Sequence, residues 1–363
     1  MNRKIALFVC AAAATAMSLN APALAQAETK EGVQAEHRPK LWIGDTAPTL
    51  TVSDWVKGEP VEGFEKGHVY VVEFWATWCG PCIASMPHVS EIQKRLGDKG
   101  VTVIGVSSRD ETNSLEAVKK MVKEKGDTMG YTVAYDADRS AYASWMQAAE
   151  QRGIPASFVV DKAGKIAFIG HPMWLDFPLE GILDGTWEPE AGMKKIEEGT
   201  ELLNKAYQGG PAAQRLEAYE QFEAEYPMVA HQSMFAPLKF QLLMETEQFA
   251  KAWEAGEQLV AGAIKKGDAQ MLNQISWTIV DPESDIPERN LPLALKAARE
   301  ANKLTGEVDA SILDTLARVY WLMGEKSHAV ELQRKAVEHA EGFMKDGTSA
   351  TLKEYEEAMK TGG

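Results

Sequence analysis

The chain has 363 residues, a formal net charge of −15, and hydrophobic and charged fractions of 45% and 25%. That length suits about two domains of roughly 100–200 residues, and the composition is that of an ordinary globular protein with a sizeable core. An acidic balance with no basic run argues against nucleic acid, or an anionic membrane surface, as a partner.

The first residues have the three parts of a secretory signal: Arg3 and Lys4, the apolar run from Ile5 to Met17, and the small-x-small site Ala23-Leu24-Ala25. Cleavage is expected after Ala25, which makes residues 1–25 a signal peptide; Ala25-Gln26-Ala27 offers a second cut. The apolar run is shorter than the ~20 residues a membrane span requires. The expected mature protein is therefore secreted across the inner membrane and periplasmic, soluble and with no membrane insertion after cleavage. Cys10 would leave with the signal, so that Cys79 and Cys82 remain of three cysteines. A structural framework would show several spaced pairs, and a loop this short adds little chain-entropy stabilisation. The pair is there for chemistry or for metal.

Residues 26–40 are polar and aperiodic, and are expected to be a mobile leader. Thr51 to Val56 and Gly58 to Val61 have the pattern of a short edge hairpin. Val69-Tyr70-Val71-Val72-Glu73-Phe74 predicts a buried strand, and Cys79 to about Leu96 a helix kinked at Pro87. A second β-branched strand follows over Val101 to Val106, then an amphipathic helix over Leu115 to Lys125 and a strand over Tyr131 to Tyr135. A helix over Ser140 to Glu150 precedes two strands, Ser157 to Val160 and Lys165 to Ile169, joined by Asp161-Lys162-Ala163-Gly164. Alternating strands and helices that close on a hairpin make an α/β domain with a mixed sheet.

Residues 173–190 hold prolines and aromatics without period and are expected to link two domains. Beyond them the strand signals vanish, and eight helical patterns run from Met193 to Met344. Leu316-Ala317, Tyr320, Gly324, Ala329 and Ala336 have spacings that resemble the tetratricopeptide pattern, and Ala294 and Ala301 repeat the last two positions 35 residues earlier. Residues 191–363 are expected to form an all-α, tetratricopeptide-like domain that binds a protein partner.

A Cys-x-x-Cys pair has several meanings. Haem attachment needs a histidine after the second cysteine, where Ile83 stands. Zinc needs two more ligands, and His68, His88 and His171 show no paired spacing. A redox-active dithiol fits, because a strand-to-helix turn offers exposed N–H groups and the positive helix end to a thiolate. Glu73, on the strand beneath, is either a buried proton acceptor or a solvated strand-end carboxylate.

The run Glu73-Phe74-Trp75-Ala76-Thr77-Trp78-Cys79-Gly80-Pro81-Cys82, with Pro87 after it, resembles the thioredoxin active-site segment. Arg152-Gly153-Ile154-Pro155-Ala156-Ser157-Phe158 resembles the cis-proline segment of that family. Gly44-Asp45-Thr46-Ala47-Pro48 and the extra strand and helix between 127 and 150 are more similar to its TlpA/ResA-type branch, grouped with redoxins of the AhpC/TSA type. The resemblance covers residues 41–172. It implies a thioredoxin-like α/β fold, a mixed sheet flanked by helices, ahead of the all-α helical-repeat domain. It implies a thiol–disulfide oxidoreductase, a reductase in the manner of thioredoxins with Gly80-Pro81, with no cofactor beyond the Cys79–Cys82 disulfide and no metal. Cys79 would attack, Cys82 would resolve, Glu73 would accept the Cys82 proton, and Pro155 would be cis and face the disulfide. Trp78, Gly80, Pro81 and Ile154 would frame the substrate. A protein disulfide substrate and a membrane electron donor are the implied partners. Ser85 replaces a glutamate common in that branch, and Ala76 replaces a peroxidatic threonine, so neither cytochrome maturation nor peroxide reduction is carried over. An interaction protein with a merely structural redoxin module, or a disulfide oxidase or isomerase, are the alternatives.

Overall fold

A strand buried at every position needs neighbours on both edges and cover on both faces. Val69–Trp75 meets that description, and in the computed structural model, which describes residues 38–360, it lies inside a six-stranded sheet. The expected signal peptide and the leader up to residue 37 lie outside the described residues. The strands are β1 (Asp54–Lys57), β2 (Val69–Trp75), β3 (Val101–Ser108), β4 (Thr132–Asp136), β5 (Ala156–Val160) and β6 (Ile166–Gly170), in the order β1-β4-β3-β2-β5-β6. β4, β3 and β2 are mutually parallel, and β1, β5 and β6 pair antiparallel with their neighbours. This is the thioredoxin-like mixed sheet, and a run of helices follows it. The expected edge hairpin does not form: β1 pairs with β4 through Asp54–Tyr135 and Trp55–Ala134, not with Gly58 to Val61. Its partner was supplied from far along the chain, which local alternation does not reveal.

Side chains alternate along β2. Tyr70, Val72 and Phe74 enter an apolar cluster with Ile104, Val106, Trp145 and Phe158, in which Phe158 meets Phe74 and Trp145 edge to face at 5.8 and 5.4 Å. Val71, Glu73 and Trp75 point to the opposite face. Helix α1 (Gly80–Leu96) follows β2, with buried Cys82, Met86, Val89 and Ile92, and α2 is Leu115–Lys125. α1 continues through the exposed Pro87, which deprives the Ile83 carbonyl of a donor without ending the helix. The expected helix from Ser140 is largely a π-helical turn, Tyr142–Gln147. Ala148 N–H bonds to Ala143 O and Gln151 N–H to Met146 O, and this wider winding lets the adjacent Trp145 and Met146 both be buried.

Residues 173–190 hold a 3-10 turn and the helix α3 (Asp176–Asp184). Their aromatics are packed: Trp174 lies 5.4 Å from Tyr226, and Phe177 lies 5.7 Å from Trp187, ring centroid to centroid. The described chain divides into two compact units. The sheet, α3, most of α4 (Pro189–Gln208), part of α5 (Ala212–Glu225) and α6 (Pro227–Ala230) form one. The other holds 206–217 and the helices α7 (Ala236–Glu245), α8 (Phe249–Lys266), α9 (Ala269–Val280), α10 (Leu291–Leu304), α11 (Ala310–Leu322), α12 (Lys326–His339) and α13 (Gly342–Lys360). In it, α7 to α13 pack as successive neighbours. Buried Ala294, Ala297, Ala298 and Ala301 on α10, and Ala317, Ala329 and Ala336 beyond, keep backbones close. The last helical pattern of the sequence, Lys326 to Met344, forms two helices, separated at Ala340, whose extended ψ of 141° ends α12. Among the described residues no helix is long and apolar enough to cross a membrane.

Gly105 on β3 illustrates how tightly the face below α1 is filled. A Cβ there would lie 2.8 Å from Tyr131 Cε2 and 3.1 Å from Trp75 Nε1, both rings being buried. Gly105→Ala should therefore destabilise the protein by about 1–3 kcal/mol, measured by denaturant unfolding; an unchanged midpoint would show that the rings move aside freely.

Candidate active site

β2 ends at Trp75 and α1 begins at Gly80, and the four residues between them place the first cysteine as the helix N-cap. Cys79 has extended backbone angles, and its Sγ accepts a hydrogen bond from Cys82 N–H at 3.2 Å. Pro81 sits in the first turn, where a missing N–H is tolerated. Cys79 and Cys82 are joined by a disulfide. Cys82 is fully covered and Cys79 retains 3% exposure, while Trp78 is 57% exposed and Gly80 is exposed beside it. Ser85, in place of the branch's glutamate, is buried and donates to the Cys82 carbonyl at 2.8 Å.

The Ile154–Pro155 peptide bond is cis. Ile154 O lies 3.7 Å from Cys79 Sγ; a disulfide sulfur has no proton to donate, so this is a contact in the oxidised form. Thus Cys79, Cys82, Ile154 and Pro155 are brought together from elements some seventy residues apart in sequence.

Glu73 stands on β2 opposite Gly105 of β3 and Ser157 of β5. It is 2% exposed, so the solvated strand-end alternative does not hold. Its Oε2 has no hydrogen-bond partner among the described residues, and the same is true of Trp75 Nε1, Tyr131 Oη and Ser157 Oγ. Burial pushes its carboxyl up to about 8, because the charged form loses its hydration and gains nothing in return. Burial, reinforced by Glu73, also raises the Tyr131 hydroxyl.

A second polar group carries the loop ahead of Cys79, and the motif did not single it out. Asn113 is fully buried. Its Oδ1 accepts from Thr77 N–H at 3.0 Å and Thr77 Oγ1 at 2.9 Å, and its Nδ2 donates to Ser107 Oγ and Ser108 O, both at 2.8 Å. Asp110 accepts from the Trp78 indole N–H at 2.7 Å, from Thr112 N–H and from Asn113 N–H. Burial pushes its carboxyl up, but these hydrogen bonds outweigh burial and hold it below the ordinary carboxylate value. Asp136 accepts from Ser108 Oγ and from the Ala141 and Tyr142 N–H groups, which anchors the π-helical turn beside the site. The Asp and Asn residues after β3 were visible only as turn formers; their roles depend on long-range neighbours.

The folded carboxyl of Glu73, at about 8, lies above its ordinary value of 4.5. The native state then binds more protons than the unfolded state between those limits, and stability falls as pH rises through that window, by at most about 1.4 kcal/mol per pH unit. Glu73→Gln should flatten this part of the stability–pH profile and narrow the gap between pH 5 and pH 9. Unfolding curves that keep the wild-type pH dependence in the variant would contradict the assignment.

The redoxin family model matches residues 43–172. Protein FixW of Rhizobium leguminosarum is 29% identical over 171 residues, which cover 45% of this chain and 75% of that protein. Thiol-disulfide oxidoreductase ResA of Bacillus anthracis is 33% identical over 130 residues, covering 36% of this chain and 69% of that protein. A crystal structure of a thiol:disulfide interchange protein of the thioredoxin family from Chlorobium tepidum aligns with 27% identity and a TM-score of 0.33, over 41% of this chain and 99% of that one. With a Cys-x-x-Cys disulfide at the start of α1 and ResA-like sequence around it, the chain belongs to the redoxin family and is a thiol–disulfide oxidoreductase of the thioredoxin-like, ResA type.

Proposed function

We propose that the protein is an exported reductase of protein disulfides, with the Cys79–Cys82 dithiol as its working group. The observation that carries this is the position of Cys79 Sγ: it caps α1, accepts the Cys82 N–H and touches Ile154 O. A thiolate there would be favoured by the N–H and by the positive helix end. In the reduced enzyme the Cys79 thiolate attacks one sulfur of a substrate disulfide, forming a mixed disulfide as the other substrate sulfur leaves as thiolate. Cys82, deprotonated, then attacks Cys79 Sγ, the mixed disulfide breaks, and the second substrate thiolate departs. Two electrons pass from the dithiol to the substrate, and the enzyme is left as its disulfide.

Glu73 is the proton acceptor for Cys82. A carboxyl near 8 is partly ionised at neutral pH and close enough to a thiol in affinity to exchange its proton. Ile154, beside Pro155, offers its backbone to an extended substrate chain, while the exposed Trp78 and Gly80 and the half-buried Pro81 form the rim. A dithiol donor at the membrane returns the electrons. The signal peptide 1–25 directs export, residues 41–172 carry the chemistry, and the tetratricopeptide-like helices of 191–363 hold a protein partner. The reducing direction is supported by the similarity of Gly80-Pro81 to the thioredoxin dipeptide.

Reduction of a protein disulfide by the full chain, with dithiothreitol as donor, should fall to the dithiothreitol background in Cys79→Ala. Cys82→Ala should instead accumulate a mixed disulfide with substrate that is visible on a non-reducing gel. Unchanged reduction by Cys79→Ala would overturn the proposal.

A further inference from the structure

A cleft of about 430 Å³ opens beside the disulfide, within the size range of small-ligand sites, about 300–1,000 Å³. Its lining includes Trp78 and Ile154 next to the disulfide, the end of β2, and Tyr142 and Met146 of the π-helical turn. Ile154, whose carbonyl touches Cys79 Sγ, belongs to the lining, so a chain joined to Cys79 and paired along Ile154 would run beside this cleft.

The charge in this cleft runs against that of the protein. The chain as a whole carries −15, yet two arginines line the cleft. Arg139 is held in place: its guanidinium lies 4.0 Å over the Tyr142 ring and donates to Arg109 O at 2.7 Å. Neither of those partners is an anion. Arg152, exposed at the mouth, has no hydrogen bond or ion pair among the described residues. Asp110 is the one carboxylate of the lining, and its oxygens are committed to Trp78, Thr112 and Asn113, so it is turned toward its own loop. Two guanidinium groups without a carboxylate partner, in a concave site, leave an unmet demand for an anion, and arginine meets a carboxylate with paired N–H donors.

We infer that this cleft is a subsite for an acidic side chain next to the substrate cysteine, so that the enzyme prefers disulfides flanked by aspartate or glutamate. The inference rests on the exchange reaction proposed above. Arg152 sets the sign of the preference from the rim, and Arg139, fixed on Tyr142, supplies the inner contact.

The test uses disulfide dimers of capped pentapeptides that carry glutamate, glutamine or lysine on both sides of the cysteine. Each is reduced by the pre-reduced full chain in a single turnover. The readout is the ratio of glutamate to lysine rates within each protein, compared between proteins, so that the intrinsic reactivity of the peptides cancels. Wild type should exceed Arg152→Glu in this ratio by about tenfold at ~0.01 M salt, and the difference should collapse toward one at ~1 M. Arg152→Lys should keep the wild-type sign. Equal ratios in wild type, Arg152→Lys and Arg152→Glu would overturn the subsite while leaving the oxidoreductase intact, provided the glutamine dimer is reduced. Failure of wild type to reduce the glutamine dimer would instead bring down the proposed reaction, and this inference with it.

Discussion

The hydrogen bond from Cys82 N–H to Cys79 Sγ is the contact on which the site depends. A helix start leaves several N–H groups unsatisfied, and an oxygen-bearing side chain normally takes one of them. Here a sulfur does so, and the atom that caps the helix start is also one of the two sulfurs of the disulfide. Everything around it serves to hold that sulfur at a strand-to-helix junction. Asn113 fixes Thr77, two residues before it, and Asp110 fixes Trp78, its immediate neighbour. Ile154 closes on it from the start of β5.

Beneath the junction the interior is unusually polar for a sheet face covered by a helix. Glu73, Trp75, Tyr131 and Ser157 each bury a polar atom that has no partner among the described residues. Buried polar groups are as a rule satisfied, and each one that is not costs about 1–3 kcal/mol. Perturbed groups of this kind cluster at functional sites, and burial pushes the Glu73 carboxyl up to about 8. Gly105, the only side-chain-free position opposite Glu73 on β3, leaves the room in which these rings and the carboxyl meet.

How much of this was legible in the sequence varies with the range of the interaction involved. β2, α1 and α2 follow local periodicity and caps, and the sequence pattern places each of them within a residue. The cysteines and the Ile154–Pro155 segment were legible because their motifs specify both type and spacing. β1 was misread because its partner is β4, some eighty residues away, so that neither turn nor alternation identifies it. The π-helical turn was hidden because ordinary helical spacing does not show that Trp145 and Met146 share one buried face. Asn113 and Asp136 have the composition of any turn, and their importance appears only when Thr77 and Tyr142 arrive as partners. The aromatics after residue 172 have no period because they pack in short elements, as Trp174 does against Tyr226.

The direction of electron flow through one pair of sulfurs separates a disulfide reductase from a disulfide oxidant. The most direct measurement is the reduction potential of the Cys79–Cys82 couple in the full chain, equilibrated against a thiol buffer. A disulfide reductase predicts a value near that of thioredoxin, about −270 mV; a value near about −120 mV, that of a strong dithiol oxidant, would contradict it.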